Sequence, residues 1–79
     1  MDYYKNQDAD HSIALIAEDD YGDIIHFYAI TSDGEVQRNL GCMSWETVGS
    51  YSKETNIITV TKDRKSNCRI LRNFGYVVK

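Results

Sequence analysis

Four side chains, His11, His26, Cys42 and Cys68, are of the types that ligate zinc, and Cys42 with a histidine would make a nucleophile and its base. Zinc sites are normally seeded by local pairs such as C-x-x-C or H-x-x-x-H, which deliver two ligands from one turn. Neither spacing occurs here, so no metal is expected. His26 reads instead as a hydrogen-bonded histidine on a half-buried strand. Cys42 and Cys68 could close one disulfide loop, but the favoured reading is two reduced thiols packed like small apolar residues, because secreted scaffolds of this size carry far more cysteine. The carboxylates Glu18, Asp19, Asp20 and Asp23 are the hard oxygen donors that calcium takes, but they lack the D-x-[DN]-x-[DN]-G-x₅-E layout of a calcium loop. They read as a solvated acidic turn that meets a basic surface on a partner. No phosphate-binding glycine loop, H-E-x-x-H or G-x-S-x-G is present. The expectation is a protein with no catalytic residues and no cofactor, and not an enzyme.

A second constellation lies near the C-terminus. Lys62, Arg64, Lys65, Arg69 and Arg72 crowd together with Asp63 as the one acid among them. They run into Arg72-Asn73-Phe74-Gly75-Tyr76-Val77-Val78-Lys79. This octapeptide resembles the RNP1 segment of RNA-recognition motifs, K/R-G-F/Y-G/A-F-V-x-F/Y. Arg72, Phe74, Gly75 and Val77 match, and Tyr76 is a conservative match. Asn73 stands where the family has glycine, and Lys79 where it has an aromatic. The likeness covers these eight residues, and the two helices of that family have no counterpart in the rest of the chain. It implies a strand with Phe74 and Tyr76 on one face, where such rings stack bases, and arginines on phosphates.

The elements that must position these groups read mainly as strands. Ile13–Ala17 is short, apolar and β-branched. Ile24–Thr31 alternates, with Ile24, His26, Tyr28 and Ile30 on one face and Ile25, Phe27 and Ala29 on the other; two apolar faces suit a central strand. Glu18–Asp23 is a turn in which Gly22 takes positive φ. Asp33-Gly34 is a hairpin signal, after which Glu35–Leu40 returns with Val36, Arg38 and Leu40 on one side. Residues 43–52 read as one short helix, with Ser44 as N-cap and Trp45 and Val48 facing inward. Asn56–Lys62 is a strand, Asp63–Asn67 a turn and Cys68–Asn73 a returning strand. The expected fold is therefore mainly β or α+β: a small antiparallel sheet or partly closed barrel of five to six short strands, with at most one short helix near 43–52. Residues 1–10 read as a flexible arm and 11–79 as the single domain.

Seventy-nine residues bound the whole. A chain this short buries about 60% of its unfolded surface, which leaves little room for an enclosed active site. The formal charge of −3 conceals a strong polarity. Residues 1–35 hold nine acids and one base, and residues 36–79 hold eight bases and three acids. Charge divided in this way selects partners and steers encounters. No apolar run approaches the roughly 20 residues of a membrane span, and Met1–Asp10 has no signal-peptide core; the expected location is the cytoplasm. The leading functional reading is a small protein-binding regulator or inhibitor, in general character like the proteins bacteriophages make to block a host enzyme. In this reading Glu18, Asp19, Asp20 and Asp23 meet the partner, with Tyr3, Tyr4, Tyr21 and Trp45 as aromatic anchors where exposed. The alternative is a single-stranded nucleic-acid-binding module built on 62–79. Pairing of edge strands into a homodimer is a further arrangement such a sheet allows.

Overall fold

Alternation in the chain's apolar residues becomes a curled sheet. The computed structural model describes residues 1–79, with strands β1 (Asp2–Gln7), β2 (Ile13–Glu18), β3 (Ile24–Ile30), β4 (Glu35–Asn39), β5 (Trp45–Ser52), β6 (Ile57–Val60) and β7 (Val77–Val78), and one helix, α1 (Arg64–Arg72), between β6 and β7. The seven strands lie in chain order, all antiparallel except β6 with β7. Two irregularities bend the sheet into a half-barrel: the register shifts at Ala17/Glu18 against β3, and again where Val36 faces Gly49 but Gln37 faces Thr47, leaving Val48 as an extra residue in β5. A bulge of this kind increases local twist and curls the strand.

The concave face is the core. Leu15 and Ala17 of β2, Tyr28 and Ile30 of β3, Val36 of β4, Val48 of β5, and Ile58 and Val60 of β6 point inward, and α1 closes over them with Cys68, Ile70 and Leu71. A nine-residue helix is marginal by itself; this one is held by its apolar stripe. It enters through Asp63, whose φ of 46° is left-handed and whose side chain makes no cap. It leaves through Gly75, at φ 91°, whose N–H reaches the carbonyl of Arg72 at 3.1 Å. Glycine is the residue that takes this turn without a Cβ penalty. The chain then runs parallel to β6, where Lys79 donates to Ile58 O at 2.8 Å and accepts from Val60 N at 2.7 Å.

The mainly β, partly closed architecture agrees with the sequence reading, as do the Asp33-Gly34 hairpin and the two faces of β3 from His26 to Ile30; Ile24, expected on the inner face, lies beyond the register shift, opposite Glu18 and exposed. The helix does not lie where expected. Residues 45–52 are β5, with Glu46 opposite Arg38 and Trp45 opposite Asn39. The tight loop before it, with Gly41 and Cys42 both at positive φ, returns the chain through Ser44 N–H to Gly41 O at 3.0 Å. This makes Ser44 a hairpin residue rather than an N-cap. The helix is instead at 64–72, where a turn and a strand were expected. The first ten residues are not an arm, since 2–7 form β1 in full register with β2. Tyr3 anchors this edge strand, its ring 5.2 Å from Phe74 and edge-on to it. With β7 this brings the count to seven strands.

Candidate protein-docking surface

The outer face of the sheet also carries apolar side chains, and no element covers it. Register places Tyr4 opposite Ile16 and Ile16 opposite Phe27, and Phe27 meets Trp45 edge-on at 5.0 Å. These four side chains form a row across β1, β2, β3 and β5. At one end of the row Ile24, Ile25, Leu40 and Met43 are exposed, Met43 almost completely at 93%. Ile24, Ile25, Phe27, Asn39 and Gly41 line a shallow depression between the β2–β3 turn and the β4–β5 loop. Isolated exposed apolar residues are ordinary, but a contiguous group of this kind is the mark of an interaction surface.

The acidic turn borders this end. Glu18 closes β2 opposite Asp2, and its carboxylate beside the Tyr4 hydroxyl raises that phenol's pKa above the usual value of 10.0. Asp19 is committed to the turn: its Oδ1 accepts from Tyr21 N–H at 2.9 Å and Asp23 N–H at 3.0 Å. Asp20 pairs with the Met1 amino group at 3.2 Å. Asp23 has no ion-pair partner. The four expected acids are thus together in space, and Asp23 is the one whose carboxylate the fold's own hydrogen bonds and ion pairs leave free.

The basic residues lie elsewhere and are dispersed. Lys62 pairs with Glu46, and this pairing raises the lysine's pKa. Arg64 donates to Val60 O and Arg72 to Val78 O. Lys65 and Arg69 remain exposed on α1. The likeness to RNP1 does not extend to geometry. Phe74 and Tyr76 are buried, Phe74 against Tyr3 and Tyr76 against Tyr51 with the Lys5 ammonium over its ring at 4.6 Å. Neither ring has a face open to a base, and Phe74 precedes β7 rather than sitting in a strand.

His11, His26, Cys42 and Cys68 are not brought together. Both thiols are free, Cys42 in the exposed loop and Cys68 under α1. Of the aromatic anchors named from sequence, Tyr4, Tyr21 and Trp45 are exposed and Tyr3 is half-buried. Trp45 is thus a surface residue, not the core residue that the helical reading made it. Sequence reasoning missed Ile25, Phe27, Leu40 and Met43. The signal was there in the second apolar face of β3, which reads from sequence as the mark of a central strand. No protein-family model, curated protein or solved structure matches this chain, so the functional argument rests on its residues and their geometry.

Proposed function

We propose that this chain is a non-enzymatic protein-binding module, a regulator or inhibitor that docks through the outer face of its half-barrel. The observation that carries the reading is the uncovered apolar row Tyr4–Ile16–Phe27–Trp45, extended by Ile25 and Met43 and bordered by Glu18 and Asp23. Aromatic and methionine side chains in a patch of this kind supply most of the affinity at interfaces. The acidic border selects a partner whose apolar contact surface is rimmed by lysine or arginine, and speeds the encounter. Small size and divided charge give it, in general character, a likeness to the blocking proteins of bacteriophages.

The test is affinity capture from host lysate with the wild-type chain and with Trp45→Ala, Met43→Asp and Asp23→Lys, each first shown to be folded. One stoichiometric partner is expected. Loss of a central aromatic anchor is expected to weaken it by about 30-fold or more, in line with about 2 kcal/mol for a hot spot. Asp23→Lys is expected chiefly to slow association and to flatten its salt dependence. Binding unaltered by Trp45→Ala and Met43→Asp would overturn the reading. Light scattering that showed a stable dimer dissociated by the same substitutions would assign the face to a second copy of the chain instead.

A further inference from the structure

The two ends of the sheet are not alike. At one end β7 is only Val77–Val78, and Arg72 Nη2 donates to Val78 O at 3.4 Å. So short an edge offers little to pair with. At the other end β1 is outermost and runs from Asp2 to Gln7 with no proline and no bulge against β2. The direction of its main-chain groups follows from the register. Asp8 N–H donates to Ser12 O at 2.8 Å, one step beyond the pair Gln7–Ile13. Bonded and non-bonded pairs alternate along an antiparallel ladder. Asp2, Tyr4 and Asn6 therefore bond β2, whereas Tyr3, Lys5 and Gln7 turn their N–H and C=O groups outward. Thr31 N–H on Glu35 O at 2.9 Å fixes the same alternation from the far side of β3. No turn or loop bond reaches the main chain of the outward residues. Lysine often guards an edge, but Lys5 is turned in, opposite Leu15, with its ammonium 4.6 Å from the Tyr76 ring.

An open edge is a template for another strand, and this one is complementary to itself. We propose that β1 pairs antiparallel with β1 of a second copy, about a two-fold axis through Tyr4. Facing residues must share a face of the sheet, and the bonded pairs must be those that turn outward. With Tyr4 opposite Tyr4, both conditions hold. Tyr3 exchanges hydrogen bonds with Lys5 of the other copy on the inner face, and Asp2 meets Asn6 on the outer face. No like charges are opposed, and β1 is neutral although the chain carries −3. An axis at Lys5 would set lysine against lysine, and an axis at Tyr3 would leave only Asp2–Tyr4 of β1 in the ladder. The outer row of each copy ends at Tyr4, so the pairing joins the two rows at a close aromatic pair. This closed, isologous arrangement uses the strand edge, leaves Ile25, Trp45 and Met43 open, and does not depend on the docking reading.

Sedimentation equilibrium of the full chain up to about 1 mM measures it. A ladder this short is expected to give a Kd of about 100 μM, in the range of small transient interfaces. Lys5→Pro removes an N–H that the monomer does not use, at an edge position that tolerates proline. It is expected to weaken the dimer about 30-fold through two lost bonds, whereas Lys5→Ala is expected to keep it. Asn6→Lys faces Asp2 twice by symmetry and is expected to tighten the dimer about fivefold; Asn6→Asp is expected to loosen it by a similar factor. The same charge changes at exposed Ser50 control for net charge and are expected to have little effect. The Asn6 variants decide the matter where circular dichroism shows Lys5→Pro unfolded. Trp45→Ala and Met43→Asp are expected to leave the dimer intact, which separates this pairing from the docking surface. A chain monomeric at about 1 mM, a dimer indifferent to folded Lys5→Pro, or Asn6 charges of opposite sign acting alike would each overturn the pairing. A monomeric chain that lost a lysate partner on Lys5→Pro would give the edge to a strand of another protein, and would overturn self-pairing also.

Discussion

Gly49→Ala is expected to lower the midpoint of thermal unfolding by more than about 12 °C, or to remove the cooperative transition altogether. Gly49 lies at the bulge of β5 directly opposite Val60. A Cβ there would overlap the carbonyl oxygen of Thr59 and stand 3.0 Å from Val60 Cα. Both obstacles are backbone, so no rotamer change relieves them; β5 and β6 would have to separate. Overpacking that side chains can absorb costs about 1–3 kcal/mol, and a clash of main chain with main chain belongs at or above the top of that range. Domains have about 0.05–0.15 kcal/mol of stability per residue, so a chain this short has little margin. Ser50→Ala, one residue away on the exposed side, is the control and is expected to shift the midpoint by only a degree or two. A Gly49→Ala protein that melts like the wild type would refute the close packing of β5 on β6.

Asn67→Leu is expected to cost about 3 kcal/mol, although leucine is the better helix former and is apolar. The reason is what it strands. Tyr28 OH, Arg38 and Lys62 O all bond to this one side chain. A buried polar group deprived of its partner costs about 1–3 kcal/mol, more than the bond itself contributed. The diagnostic is a double-mutant cycle with Tyr28→Phe. Removing the hydroxyl alone is expected to cost about 1 kcal/mol, because Asn67 Oδ1 keeps Arg38. The double variant should be markedly more stable than the sum of the two losses implies, since the stranded hydroxyl is then absent. Denaturant melts measure all four proteins, and simple additivity would show that the two side chains do not interact.

The same asparagine explains why the helix was hard to read. Of the residues that α1 and its exit bury, Asn67, Ile70, Leu71 and Phe74 follow the i, i+3, i+4, i+7 spacing of a helix face, with Cys68 beside them. With the first position polar, the remaining apolar residues resemble a short strand following a polar turn. Residues 45–52 were misread for the converse reason. Glycine at 49 and serine at 44 suggest a broken helix, whereas the inward Val48–Gly49 bulge interrupts the alternation that would have announced a strand. β2, β3 and the Asp33-Gly34 turn were legible because local preference and burial agree there. At the docking surface the acidic turn was legible as a run of charge. The apolar row was not, because it assembles from β1, β2, β3 and β5 only after pairing sets the register.

The order of the strands has a consequence for kinetics. From β1 to β6 every pairing joins neighbours along the chain, so each loop that must close is short and its entropic cost small. Only α1 and the segment after it reach far back, as Tyr28 bonds Asn67 across 39 positions and Tyr3 meets Phe74. The meander can therefore collapse first as an open, curled sheet, with helix docking as the late event that seals it. Contacts made after the transition state govern how long the native state persists rather than how fast it is reached. Substitutions at the lid, at Asn67 or the rings of Phe74 and Tyr76, are therefore expected to speed unfolding more than they slow refolding, as stopped-flow chevrons would measure.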